Sequence, residues 1–186
     1  MFENWLLSSA WLAVVLGVFA YIANEYLAAL EIDWYHAGAS RYLVFHERYG
    51  PVPANRQHWL TARLVLTVLV LALATLALWW VCTQQIQRPE VFLFIVGSFV
   101  LLQVTNCLRR MQRMVLYHYA CSTGNLKGKL EYSERVWMTQ AAFDLYGFTG
   151  LYLFTFLLTG SWFFLGGALM CFVSGRRQHD WALIRK

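Results

Sequence analysis

The stretch that decides the fold is residues 91–113, VFLFIVGSFVLLQVTNCLRRMQR, in which 18 uncharged residues are followed by three arginines. An uncharged, mostly apolar run of about 18 residues or more is typical of a transmembrane helix. Because Lys and Arg collect on the cytoplasmic side of membrane helices, Arg109, Arg110 and Arg113 mark the side on which this helix ends. The stretch therefore predicts a membrane-spanning helix that emerges into the cytoplasm.

Four further apolar runs flank this stretch, and the five predicted spans are residues 5–23, 64–81, 91–108, 136–158 and 161–174. The chain of 186 residues is 59% hydrophobic and 13% charged, a composition at which a soluble domain would aggregate. The last run covers only about 20 Å of a hydrocarbon layer about 30 Å thick. We therefore predict an all-α polytopic membrane protein, a single transmembrane domain over 1–186, with about five spans, the last two alternatively forming a hairpin.

The basic residues divide between the two sides of the predicted membrane. Four lie in 24–63, six in 109–135 and four in 175–186, which leaves Arg88 alone on the other side. The positive-inside rule then predicts an outer N-terminus, a cytoplasmic C-terminus and a cytoplasmic location for these three segments. No basic region precedes the first run, so we expect a retained span instead of a cleaved signal peptide. The short loops suggest a prokaryotic cytoplasmic (inner) membrane.

The first cytoplasmic segment holds two predicted features. Leu27, Leu30 and Trp34 recur at helical spacing, which indicates that the first helix continues beyond its span. Residues 40–49 interleave basic and aromatic side chains, a pattern typical of an amphipathic helix in the membrane interface. Residues 50–53, GPVP, are expected to end that helix.

Polar side chains form a stripe on each of two spans. On the third span and its continuation, spacings of three and four residues place five of them on one helical face. These five are Gln103, Asn106, Arg110, Arg113 and Tyr117. On the fourth span, Gln140, Asp144 and Gly147 share a face, and Glu25 and Arg63 lie at similar depth. The sequence thus predicts a polar layer in the inner half of the bilayer.

Asp144 is the one charge inside the fourth span. A lone aspartate in hydrocarbon is costly, so we expect it to face other helices and to have a basic partner. We predict Arg110 as that partner, with Arg109 or Arg63 as alternatives. Such a charge is either an ion site or gate, or part of a buried ion pair that fixes helix register. The candidates for an ion pathway or gate are Asp144, Arg110, Asn106, Gln140, Gln103, Arg63 and Glu25.

Small residues, which allow helices to approach closely, form a second pattern within the spans. These positions are Ser9, Ala13, Gly17, Gly147, Gly150, Gly166 and Gly167. We interpret them as helix-packing positions inside the chain, with a subunit interface as the alternative.

The sequence contains no recognisable motif for catalysis or cofactor binding. It has no nucleophile elbow, no phosphate-binding loop and no H-E-x-x-H pair. The five histidines fall outside the apolar spans, and the four cysteines form no C-x-x-C pair. We therefore expect no catalytic residue, no cofactor and no metal, and an embedded enzyme is the weakest hypothesis. The basic face is expected to attract anionic lipid headgroups, not nucleic acid.

Two functional hypotheses follow from these patterns. The leading one is an oligomeric membrane channel or transporter-like protein whose inner-leaflet polar layer surrounds Asp144. The alternative is a non-conducting accessory or structural subunit of a larger membrane complex, or a lipid-binding membrane protein. The expected partners are membrane lipids and either further copies of this chain or other membrane subunits.

Overall fold

The computed structural model describes residues 2–41, 43–45, 56–122 and 130–184. Within these ranges the chain forms six α-helices and two three-residue strands. In chain order they are α1 (Phe2–Ser8), α2 (Ala10–Ala37), β1 (Leu43–Phe45), α3 (Arg56–Trp80), α4 (Pro89–Ser122), β2 (Leu130–Tyr132), α5 (Glu134–Thr159) and α6 (Trp162–Ile184). The helical class predicted from the sequence is confirmed, with the pair of short strands as an addition.

Four of the described helices are long and apolar enough to cross a membrane. They are Ala10–Ala37, Ala62–Gln85, Pro89–Tyr119 and Arg135–Thr159, and the last three contain the second, third and fourth predicted spans. These helices fit an integral membrane protein. The first predicted span, 5–23, is divided at Ser9, whose extended backbone separates α1 from α2. The stretch Ala62–Gln85 includes one turn of π-helix, Val81–Gln85, which continues α3 without a break in the chain direction.

The fifth predicted span, residues 161–174, is only the first half of a longer helix. α6 runs on to Ile184, and its 23 residues have a length of about 34 Å at 1.5 Å per residue. Its second half carries Arg176, Arg177 and Asp180, so its composition is less apolar than that of the four spanning helices. The apolar run ends at residue 174, but the helix continues for ten more residues to Ile184.

α2 confirms the prediction that the first helix continues beyond its span. It runs without interruption from Ala10 to Ala37. Its buried face includes Ala13, Gly17, Ala20 and Asn24, which recur every three or four residues. The small side chains on this face bring α4 close, since a Cβ on Gly17 would lie 3.9 Å from the ring of Phe99.

The predicted interfacial helix over residues 40–49 is wrong where the structure describes it. Ala39–Arg41 forms one turn of 3-10 helix, and Leu43–Phe45 is a strand that pairs in parallel with Leu130–Tyr132. A Leu-Val-Phe sequence favours a strand, and the second predicted cytoplasmic segment supplies the partner that local periodicity could not reveal. Residues 42 and 46–53, including the predicted GPVP break, lie outside the described residues.

α4 is the central helix of the bundle. It lies between α2 and α6, while α3 packs on α2 and α5 packs on α6. The backbones of α4 and α6 come very close, since a Cβ on Gly97 would collide with the carbonyl oxygen of Phe163. A Cβ on Gly166 would likewise collide with the carbonyl oxygen of Phe94. Glycine at this crossing lets two backbones touch, as is common between membrane helices.

One end of the bundle is held together by hydrogen bonds between distant parts of the chain. Glu3 Oε1 accepts from Ser161 Oγ at 2.6 Å and from the backbone N–H of Phe163 at 3.4 Å. A carboxylate at a helix N-terminus satisfies backbone donors and opposes the positive end of the helix dipole. Trp79 Nε1 donates to the carbonyl oxygen of Leu7 at 3.2 Å. The short helix α1 therefore connects the beginning of α6 to the end of α3, opposite the end that holds the arginines of α4.

Candidate functional site

A fully buried carboxylate lies at the arginine end of the bundle, between α2 and α4. The Glu31 side chain is 1% exposed and pairs with two arginines of α4. Arg110 Nη1 donates to Glu31 Oε2 at 2.9 Å. Arg113 Nη2 donates to the same oxygen at 3.0 Å, and Arg113 Nε lies 2.8 Å from Glu31 Oε1. Both carboxylate oxygens therefore contact guanidinium groups.

Two amide side chains extend this ion pair along the interface of α2 and α4. Arg110 Nε donates to Asn24 Oδ1 at 3.0 Å, and Asn24 Nδ2 donates to Gln103 Oε1 at 2.8 Å. We call Glu31, Arg110, Arg113, Asn24 and Gln103 the Glu31 cluster. Charges removed from water are stabilised only when good geometry and additional hydrogen bonds compensate the lost solvation. In this cluster Glu31 accepts from two arginines, and Asn24 accepts from Arg110.

The Glu31 cluster contains part of the predicted polar stripe of α4. Gln103, Arg110 and Arg113 all point to α2, and Tyr117 continues the same face, with its ring 5.9 Å from that of Tyr35. Asn106 is half-buried on α4. The stripe thus marks the seam between α2 and α4.

Glu31 was missed by the sequence analysis. It lies seven residues after Asn24, two turns along the same face of α2, and this spacing is the signal that could have found it. The predicted Glu25 is next to Asn24 in sequence and is half-buried, while Arg63 is exposed on α3. The choice failed because Glu25 was selected for its depth alone, whereas only Glu31 lies on the buried face of α2 that also carries Asn24.

Asp144 belongs to a second ion pair, between α4 and α5. Its Oδ2 lies 3.5 Å from Nε of Arg109, so the predicted partner Arg110 is wrong and the alternative Arg109 is the residue in contact. The Arg109 side chain is 8% exposed, whereas that of Asp144 is 39% exposed. Adjacent residues on a helix point about 100° apart, which is why Arg109 faces α5 while Arg110 faces α2.

A cleft of about 140 Å³ opens at this second ion pair. We call it the Asp144 cleft. Its lining residues are Arg109, Gln112, Arg113, Leu116, Trp137, Gln140, Ala141 and Asp144. The cleft lies where α4 and α5 diverge, since each of them packs mainly on α6. Gln140, which the sequence placed on the face of Asp144, is exposed in this cleft.

Arg113 connects the Glu31 cluster to the Asp144 cleft. Its Cζ lies 5.0 Å from the centroid of the Trp137 ring, within the range of a cation–π contact. One side of the guanidinium is therefore held by a buried carboxylate of α2 and another by an aromatic ring of α5. Arg113 lines the cleft, and its position is fixed by α4, which carries it, and by its contacts with α2 and α5.

The predicted small residues divide into two groups. Ala13 and Gly17 are buried on α2, and Gly166 and Gly167 lie against α4, where a Cβ on Gly167 would overlap the Leu101 side chain. Ser9 is half-buried at the start of α2. Gly147 and Gly150 of α5 are exposed, and a Cβ on either would have no atom within 4 Å. In this chain, therefore, α5 leaves open space beside both glycines.

An uncharged hydrogen-bonded group lies deeper in the bundle. Thr105 Oγ1 is 2.9 Å from the hydroxyl of Tyr152 and 3.6 Å from Sγ of Cys171, and all three residues are buried. Phe92 and Val96 are among the apolar residues that fill the core beyond it. The bundle thus changes from charged, through hydrogen-bonded, to apolar with distance from the arginine end.

Within the described ranges, no group of three or more His, Cys, Asp or Glu residues is arranged to hold a metal ion. Cys82, Cys107, Cys121 and Cys171 are all free thiols. No known protein family, no curated protein and no solved structure matches this chain. Functional inference therefore depends on the geometry of the Glu31 cluster and the Asp144 cleft.

Proposed function

We propose that this chain is a non-conducting integral membrane protein that binds the headgroup of a membrane lipid in the Asp144 cleft. The observation that carries the proposal is the position of this charged cleft directly after the apolar run 91–108. Arginine and tryptophan side chains at such a boundary lie at the level of lipid headgroups. The orientation that goes with the proposal is N-out and C-in in a prokaryotic cytoplasmic membrane, with the arginine end in the cytoplasm.

The Glu31 cluster supports the non-conducting part of the proposal. An ion pathway needs charged or polar groups that a hydrated ion can reach, but the Glu31 carboxylate is 1% exposed and contacts two guanidinium groups. Beyond Thr105 the buried core that the structure describes is mainly apolar. Moving an ion through such a core would carry the full desolvation penalty. These features fit a cluster that holds α2 against α4 better than they fit a path for ions.

The first test is ion flux from proteoliposomes containing the wild-type protein. We expect flux no greater than that of empty liposomes for several cations and anions at two pH values. In parallel, native mass spectrometry of the protein purified in mild detergent should detect about one retained phospholipid per chain. The proposal is wrong if the folded protein conducts, or if it retains no phospholipid.

A second candidate function, an oligomeric channel or transporter-like protein gated at Asp144, is favoured by one observation. The Asp144 side chain is 39% exposed in a cleft that also holds Gln140, and the open face at Gly147 and Gly150 could receive a second copy of the chain. In that case Asp144→Asn should change the flux while the protein still assembles. Asp180→Asn, which removes an exposed carboxylate from α6, is the matched control.

A further inference from the structure

We infer that the Asp144 cleft selects a phosphodiester headgroup that ends in a primary ammonium, of the phosphoethanolamine type. The phosphate would bind at the Arg109 side of the cleft, where the exposed Gln112 offers amide donors, and the ammonium would bind Asp144. The inference rests on the proposed lipid-binding function and adds the chemical class of the ligand.

The distance between the two charged groups is the first argument. Arg109 Nε and Asp144 Oδ2 are 3.5 Å apart, beyond the usual 2.7–3.2 Å of an N–H···O hydrogen bond. The arginine contacts of Glu31 measure 2.8 and 2.9 Å. The Asp144 pair is therefore the looser of the two ion pairs, and a zwitterion beside it would place its anion toward the arginine and its cation toward the carboxylate. Asp144 is also the more exposed of the two, so an ammonium group can reach it from the cleft.

The size and lining of the cleft fit such a headgroup. The cleft offers about 140 Å³ of space, well above the roughly 10–15 Å³ that one water molecule needs on this measure, so a small polar group can enter it. Gln112 and Gln140 are exposed at the cleft and carry amide N–H donors suited to phosphate oxygens. Trp137 and Arg113, in cation–π contact, form part of the wall of the cleft, and the carboxylate of Asp144 supplies the negative charge that an ammonium group would bind.

The surface beside the cleft offers space for an acyl chain. Gly147 and Leu151 continue the helical face of Gln140 and Asp144, at spacings of four, three and four residues. A Cβ on Gly147 would have no atom within 4 Å, and Leu151 is exposed. A bound headgroup would thus be followed, toward the middle of the membrane, by an open apolar strip on α5.

Asp144 determines which headgroups are disfavoured. An anionic headgroup without an ammonium would bring its phosphate near the Asp144 carboxylate without supplying a cation to offset the repulsion. A trimethylammonium headgroup carries a positive charge but has no N–H to donate to Asp144, so it loses the charge-assisted hydrogen bond. Both should bind more weakly than the primary ammonium.

The experiment is a native mass spectrometry titration of the full chain with three lipids that share the same acyl chains. We expect phosphatidylethanolamine to bind at least about tenfold more tightly than phosphatidylglycerol or phosphatidylcholine, the factor expected for one charge-assisted hydrogen bond. Asp144→Asn should abolish this preference, and Asp180→Asn should keep it. Asp144→Glu keeps the charge and should retain part of the preference, which separates a specific role from misfolding.

The results distinguish the headgroup assignment from the proposed lipid-binding function. Equal binding of phosphatidylethanolamine and phosphatidylglycerol, or a preference that survives in Asp144→Asn, overturns the headgroup assignment and leaves lipid binding intact. Absence of any bound lipid overturns the proposed function as well. A final arm adds soluble phosphoethanolamine: if it saturates the cleft while none of the lipids binds, the ligand is a free phosphoamine and the lipid source is wrong.

Discussion

The Glu31 cluster and the Asp144 cleft use the same chemical groups with opposite consequences. Each pairs a carboxylate with arginine from one turn of α4, at the same end of the bundle. The Glu31 side chain is 1% exposed and that of Asp144 is 39% exposed. The comparison teaches that a charge near the membrane boundary has no fixed role, because burial and the number of partners decide whether it holds helices together or stays available to a ligand.

The energetic expectations for the two pairs differ accordingly. Removing one partner from a buried ion pair costs about 3–5 kcal/mol, since the remaining charge is left without compensation in a low-dielectric environment. The Asp144 pair has a longer contact and a half-exposed carboxylate but a buried arginine, so we expect it to contribute about 1 kcal/mol, the upper end of the range for exposed pairs. Conservative substitutions at the two ion pairs can therefore test whether their contributions to stability differ.

The largest effect is expected for Glu31→Gln. The substitution keeps the shape of the side chain and removes the charge that faces Arg110 and Arg113, so we expect a loss of about 3–5 kcal/mol in the free energy of unfolding. Thermal unfolding of the purified protein in detergent measures it, beside Asp180→Asn as the control. A loss equal to that of the control would mean that Glu31 does not clamp α2 to α4.

An intermediate effect is expected for Arg110→Lys. The lysine retains a positive charge, but it cannot donate to Glu31 and to Asn24 at the same time as the guanidinium does. We expect a loss of about 1–2 kcal/mol, roughly one or two hydrogen bonds. The matched control is Arg177→Lys, on an exposed part of α6, which should not change the unfolding temperature in the same detergent. If both lysine variants unfold at the wild-type temperature, the positive charge at position 110 is sufficient and the two hydrogen bonds of Arg110 add no stability.

The smallest effect on stability is expected for Asp144→Asn. Its side chain is partly solvated and contacts Arg109 at 3.5 Å, so we expect a loss of no more than about 1 kcal/mol. The same unfolding assay measures it, without added lipid. A loss as large as that of Glu31→Gln would show that both carboxylates are structural and would remove the distinction between the two regions.

Sequence reasoning reached the helical class and the polar face of α4 because both are local. Spacings of three and four residues along one helix place Gln103, Arg110 and Arg113 together before any other helix is considered. The partner of that face could not be predicted, because which helix packs on α4 depends on tertiary contacts. Glu31 was therefore missed and Asp144 was assigned to the wrong arginine.

Two other differences have the same physical origin. The β1 and β2 strands are stabilised by pairing between segments more than 80 residues apart, which a local pattern of basic and aromatic residues does not encode. α6 continues to Ile184 through charged residues, because a helix that packs on α5 and α4 does not require an apolar composition throughout. In both cases long-range contacts decide what the local sequence leaves open.

The most direct test of the separation between the two regions is the unfolding temperature in nanodiscs. A ligand that binds only the folded state raises that temperature. We expect the wild type to unfold at a higher temperature in nanodiscs containing phosphatidylethanolamine than in nanodiscs of phosphatidylglycerol alone. Asp144→Asn should lose this difference while unfolding within a few degrees of the wild type in phosphatidylglycerol, as a loss of about 1 kcal/mol implies. A variant that keeps the difference, or that unfolds far below the wild type in both lipids, would contradict the account.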